Sequence, residues 1–124
     1  MQLGRMTPLL NVENVARSLD FYVEKLGFNV MAVYPEDGPP YWARLRYGDT
    51  ELMLNQPDGA DSDARRDFAS YTQMMLFFDV PDVEVARRTL LFNGVAPGPI
   101  SEEAYGKEFT LRDPDGYELA FVGS

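Results

Sequence analysis

Two glutamates stand in matching settings: Glu51 opens the run Glu51-Leu52-Met53-Leu54, and Glu118 opens Glu118-Leu119-Ala120-Phe121, 67 positions later. Side chains alternate along a strand, so Glu51 shares a side with Met53, and Glu118 with Ala120. Two carboxylates turned into one cavity can serve as acid and base, or hold a cation. They are equally the halves of cross-strand ion pairs. Along Tyr41 to Tyr47 the residues Ala43, Leu45 and Tyr47 share one side, which leaves Trp42, Arg44 and Arg46 on the other. The later run divides in the same way, with Phe109 and Leu111 on one side and Glu108, Thr110 and Arg112 on the other. Arginines opposite glutamates on neighbouring strands make ion pairs, which is the first reading of this pattern. A charged pocket that reads a polar ligand is the second.

Trp42 is the only tryptophan. On a cavity-facing position it offers a flat platform for a heteroaromatic ring or a cation, and the competing reading is that it fills a dimer interface. Met53, Met75 and Phe77 would give the cavity a deformable apolar floor, or serve as ordinary core. Met74, Leu76 and Phe78 alternate with Met75 and Phe77, so this run is apolar on both faces, as expected of a strand with helices behind and a ligand or partner in front.

Other chemistry falls away by composition. The chain has 124 residues and contains neither histidine nor cysteine, which removes thiolate nucleophiles, Ser/His/Asp catalysis and disulfide frames. A cysteine-free chain fits a reducing cytoplasm, and the opening Met1 to Met6 does not read as a signal peptide. No apolar run is long enough to span a membrane. The formal charge of −9 has no compensating Lys/Arg stripe, so nucleic acid is not an expected partner. The same field would attract a cationic small molecule, although acidic charge more often serves solubility. Phosphate loops and dinucleotide fingerprints are missing, and Asp113-Pro114-Asp115-Gly116 reads as a hairpin turn, without the spaced ligands of a calcium loop.

The elements that must position these residues come as a tandem repeat. Asn11-Val12-Glu13-Asn14-Val15 returns as Asp79-Val80-Pro81-Asp82-Val83, 68 positions on, close to the offset between the glutamates. In the first copy, residues 6–12 read as a strand. Asn14 then caps a helix with Val15, Leu19, Tyr22 and Leu26 along one face, and Gly27 ends it. Strands follow at 28–34, 41–47 and 51–55, with the Gly48-Asp49 turn between the last two. Residues 56–72 carry Pro57, Gly59 and four aspartates and read as an acidic connector. The second copy, 73–124, predicts a strand over 73–80, a helix capped by Asp82 and stopped by Asn93-Gly94, and strands near 107–112 and 117–122. Pro97, Gly98 and Pro99 interrupt the place where its second strand should run. The organisation expected is one domain over 1–124, with a first βαβββ module at 1–55 and a second at 73–124.

The segment Asn14-Val15-Ala16-Arg17-Ser18-Leu19-Asp20-Phe21-Tyr22, followed by Lys25-Leu26-Gly27-Phe28, together with Arg112-Asp113-Pro114-Asp115-Gly116-Tyr117, resembles the vicinal oxygen chelate superfamily. That superfamily includes glyoxalase I, extradiol dioxygenases and the fosfomycin and bleomycin resistance proteins. The resemblance implies an α+β fold of paired βαβββ modules whose curved mixed sheets surround a cavity, completed by a homodimer. It also implies four metal-ligand places, which fall on Thr7, Met53, Met75 and Ala120. A hydroxyl, two thioethers and a methyl group do not make a site for a divalent cation, so no metal or other cofactor is expected. Trp42 with the following turn Arg46-Tyr47-Gly48-Asp49 is similar to the aromatic-and-turn pairing of bleomycin resistance proteins.

The function expected is that of a metal-free protein that sequesters a small organic molecule, cationic or aromatic, using Trp42, Arg44, Arg46, Met53, Met75, Phe77 and Glu118. Sequestration needs affinity and no catalytic group. The alternative is a glyoxalase-like isomerase or lyase in which Glu51, Glu118 or Tyr105 transfers protons. A further alternative is a non-catalytic subunit that pairs with another protein. The stretch 96–105 and the connector 56–72 are expected at the rim of the cavity.

Overall fold

The computed structural model describes residues 1–57 and 74–124; most of the expected acidic connector 56–72 lies outside the described residues. The chain divides into two compact units, residues 1–65 and 66–124.

In the first unit the elements are β1 (Leu9–Asn11), α1 (Val15–Leu19), a wider π-helical turn (Asp20–Lys25), β2 (Asn29–Tyr34), β3 (Trp42–Tyr47) and β4 (Thr50–Asn55). The sheet order is β1-β4-β3-β2, with β1 parallel to β4 and the other pairs antiparallel. A parallel pair needs a crossover, and the helix supplies it. Asn14 caps that helix as expected, its side chain accepting the Arg17 amide at 2.9 Å. The buried helical stripe is Val15, Ser18 and Tyr22, whereas Leu19 and Leu26 stay half-buried. The correction has a local cause: from Asp20 the backbone widens, and the Leu26 amide reaches back to the Phe21 carbonyl at 3.1 Å. This departure from 3.6 residues per turn takes Leu26 off the stripe. Gly27, at φ +93°, then turns the chain into β2. Leu10, Ala43, Leu45, Leu52 and Leu54 close the core from the sheet side.

The second unit repeats the plan with β5 (Met75–Val80), α2 (Val83–Phe92), β6 (Ser101–Glu103), β7 (Gly106–Arg112) and β8 (Glu118–Gly123). Its order, β5-β8-β7-β6, matches the first, again with one parallel pair. Asp82 caps α2 by accepting the Val85 amide at 3.1 Å, and Asn93 with Gly94 ends it. The core here is Val83, Leu90, Phe109, Leu111 and Leu119, with Phe121 stacked between Phe109 at 4.9 Å and Phe78 at 5.4 Å. The interrupted strand survives only as the three residues of β6. Ahead of it, the Gly98 amide donates to the Thr110 carbonyl at 2.8 Å, and the Arg87 guanidinium donates to the Gly98 carbonyl at 2.8 Å. Asp113 is buried and accepts the amides of Asp115 and Tyr117, each at 2.9 Å, which fixes the hairpin turn between β7 and β8.

Candidate ligand-binding faces

Among the described residues, each sheet turns one face to its helix and leaves the other free of helical cover. On the free face of the first sheet, Trp42, Arg44 and Arg46 follow one another along β3, opposite Asn55, Met53 and Glu51 of β4. Ala43 and Leu45, between them, are fully buried on the helical side. Trp42 and Met53 are half-buried.

The register puts Glu51 within reach of two arginines, and a third comes from the segment before β1. Arg44 Nε donates to Glu51 Oε1 at 2.7 Å. Arg46 Nε and Nη2 donate to Oε2 at 3.1 and 2.5 Å, and Arg5 Nη1 donates to the same oxygen at 2.5 Å. The Glu51 side chain is 4% exposed, the arginines 39–52%. Hydrogen bonds from Arg46 and then Arg44 hold the Glu51 carboxyl down at about 2, against the smaller opposing effect of burial. A carboxylate this weakly basic makes a poor proton acceptor near neutral pH, which weighs against Glu51 as a catalytic base.

The free face of the second sheet is built differently. Met75 and Phe77 of β5 stand opposite Glu118 and Ala120 of β8, and are 37% and 55% exposed. Glu118 is half-buried opposite Arg112, yet makes no ion pair among the described residues. Arg112 instead donates to the Gly116 carbonyl at 2.9 Å. Tyr105 precedes β7 and donates its hydroxyl to Glu108 Oε1 at 3.1 Å; its ring meets Phe77 edge-on at 6.5 Å. The Tyr105 phenol is pushed above its ordinary range by loss of water around it, by Glu108 as hydrogen-bond acceptor, and by the charges of Glu108 and Glu103. The residue as a whole remains 60% exposed. An open concavity of about 700 Å³ lies here, walled by Asp79, Glu102, Glu103, Tyr105, Lys107 and Val122. Phe77 borders an adjoining hollow of about 430 Å³.

A family model for the Glyoxalase/Bleomycin resistance protein/Dioxygenase superfamily matches residues 2–121. The chain belongs to that superfamily. Solved structures agree on the fold. TnmS3, an antibiotic binding protein from Streptomyces sp. CB03234, shares 21% identity at a TM-score of 0.75, with 99% of this chain and 98% of that one covered. The bleomycin-binding protein from bleomycin-producing Streptomyces verticillus, solved with copper(II)-bleomycin, shares 21% identity at 0.73, covering 100% and 98%. UcmS2 shares 20% identity at 0.81, covering 99% and 100%. No curated protein matches.

Against this superfamily background the four places where the resemblance puts metal ligands can be tested for fit. Thr7 Oγ1 lies 3.5 Å from Arg44 Nη2, and Arg44 stands opposite Met53, so a guanidinium occupies the side of the first pair. Met75 and Ala120 offer a thioether and a buried methyl. These residues do not fit a divalent cation: they supply no hard donor, and Arg44 adds positive charge beside them. Among the described residues no three acidic side chains converge on a metal-sized site.

Sequence reasoning missed Arg5, because nothing local marks a coil arginine that closes on a carboxylate 46 residues away. It placed Glu108 on the correct side but not its bond to Tyr105, a contact of close sequence neighbours that the Gly106 turn makes possible.

Proposed function

We propose that this superfamily member binds and sequesters a small organic molecule with an aromatic or apolar body, without a metal and without chemical turnover. The observation that carries the reading is the state of the sheet faces turned away from the helices. Trp42 and Met53 on one, and Met75 and Phe77 on the other, leave large apolar side chains uncovered where a core would cover them. Superfamily relatives of the same fold include an antibiotic binding protein and a bleomycin-binding protein, which supports small-molecule binding as the shared use of this architecture. In this proposal residues 1–124 form one domain that works as a homodimer in the cytoplasm.

The proposed contacts are Trp42 as an aromatic platform, Met53, Met75 and Phe77 as an adaptable apolar surface, and Arg44, Arg46 and Glu118 as polar contacts. One observation favours a second, catalytic reading. Glu118 is a half-buried carboxylate that makes no ion pair among the described residues, which leaves its oxygens open to a ligand's proton.

Affinity selection with mass-spectrometric detection tests the proposal, using aromatic and glycopeptide antibiotics with bleomycin among them. The expected result is retention of at least one compound unchanged in mass, lost in Trp42→Ala and Phe77→Asp variants. Retention of nothing, retention indifferent to both substitutions, or release of a chemically altered compound overturns it.

A further inference from the structure

We infer that the arginine cluster around Glu51 is a binding site for an oxyanion, a carboxylate or phosphate group carried by the ligand. This deepens the small-molecule reading and rests on it for the ligand's organic body. Three guanidiniums converge on one carboxylate, so the cluster carries two positive charges in excess. One bidentate arginine would already satisfy a buried glutamate. Gathering two more cations onto it costs repulsion that Glu51 alone does not offset, and an incoming anion would.

The donors are available for that anion. Glu51 is spent: Oε1 accepts from Arg44, and Oε2 accepts from Arg5 and Arg46. Among the described residues, Arg5 Nη2, Arg44 Nη1 and Arg46 Nη1 have no protein acceptor, and all three side chains are close to half exposed. Glu51 is therefore a positioning residue that holds the guanidiniums in place with their remaining N–H groups turned to solvent. Such forks match the geometry of carboxylate and phosphate oxygens.

The tandem repeat supplies an internal control. At the matching place in the second unit, Arg112 and Glu118 share the register of Arg46 and Glu51, and Thr110 stands where Arg44 does. That copy builds the same sheet order with Glu118 free of arginine among the described residues, so the fold itself does not require the cluster. The net charge of −9 does not oppose a local site, because at physiological salt charges beyond about 8 Å are screened. Met53 and Trp42 continue along the same face from Arg44, so an oxyanion on the arginines would lay an attached aromatic body across them.

The test uses the full chain and two kinds of probe. Isothermal titration with 1-naphthoate, 1-naphthyl phosphate, 1-naphthalenemethanol and 1-naphthylmethylammonium compares anionic, neutral and cationic forms of one ring. Thermal melts with inorganic pyrophosphate read the charge site without any organic body. The anionic probes should bind at least about tenfold tighter than the neutral one, and pyrophosphate should raise Tm. Both effects should shrink in Arg5→Gln and Arg46→Gln and persist in Arg88→Gln, a change on the exposed side of α2. Arg5 lies outside every strand and helix, so its variant keeps the test readable if Arg46→Gln unfolds. Equal binding of neutral and anionic probes, with no pyrophosphate shift, overturns the oxyanion site and leaves small-molecule binding standing. A pyrophosphate shift lost in Arg5→Gln, with no naphthyl compound bound, supports the oxyanion site and counts against the organic-ligand reading. Binding or shifts unchanged in the arginine variants overturn the site.

Discussion

Arg112 stands directly opposite Glu118 in the β7–β8 register, yet its guanidinium donates to the Gly116 carbonyl at 2.9 Å and leaves that carboxylate alone. The same register in the first unit, Arg46 opposite Glu51, gives an ion pair in which two guanidinium nitrogens donate to one carboxylate oxygen. Position in the sheet therefore does not decide pairing. In the second unit the turn Asp113–Gly116 draws the arginine away, while Arg44 and Arg5 converge on Glu51 in the first. Two modules of one design have diverged at the residues that face away from their helices.

The low Glu51 pKa, about 2, fixes a pH dependence. Its folded value lies below the ordinary 4.5, so the stability it contributes is present above about pH 4.5 and is lost as pH falls toward 2. Denaturant melts of wild type and Glu51→Gln should differ most at neutral pH, with wild type the more stable, and should converge near pH 2. A constant gap across that window would mean that the carboxylate charge is not what stabilises.

Leu45 and Leu54 are fully buried on the helical side of the first sheet, one residue along from the arginine and methionine positions. Truncating either to alanine should cost about 2–5 kcal/mol, by lost burial and the cavity left behind. Urea unfolding measures it. Trp42→Ala, on the free face and half-buried, should cost less than either, so a reversal of that order would place the core on the wrong side of β3.

Much of this was legible because the signals are local. Alternation over Tyr41 to Tyr47 separates Ala43 and Leu45 from Trp42, Arg44 and Arg46, and Asn14 and Asp82 mark the helix starts by their own capping chemistry. The tandem offset carried the order of elements along the chain from one unit to the other. What escaped depends on contacts distant in sequence or on backbone irregularity. The π-helical turn changes the periodicity that pattern reading assumes, so Leu26 leaves the buried stripe. β1 shrinks from the expected 6–12 to Leu9–Asn11 because only those residues pair with Met53–Asn55, and Arg5 is left free to reach Glu51.

Gly106 begins β7 at φ +135°, where a Cβ would lie 2.7 Å from the Gly123 carbonyl oxygen. Backbone on a neighbouring strand cannot give way as a flexible side chain can. Gly106→Ala should therefore lower stability by about 1–3 kcal/mol from conformational strain alone, with the backbone contact adding to it. Hydrogen exchange should show the loss first at the Lys107–Gly123 end of the β7–β8 pairing. Protection unchanged there would contradict the described approach of the two strands.

Tyr105 yields the last expectation, because its phenol is raised by causes that can be removed one at a time. Its neutral form is favoured by dehydration, by donation to Glu108 and by the negative charges of Glu108 and Glu103. Glu108→Gln keeps an acceptor oxygen and removes one charge, so Tyr105 should ionise at lower pH in that variant while staying above a free tyrosine. Ultraviolet titration, with Tyr105→Phe subtracted to remove the other tyrosines, gives the value directly. Because the wild-type phenol holds its proton through the physiological range and gives it to Glu108, its oxygen can accept a hydrogen bond from a ligand in the adjoining concavity but cannot act there as a base. A Tyr105 that ionises like a free tyrosine in wild type would remove the Glu108 bond and return the residue to the catalytic alternatives.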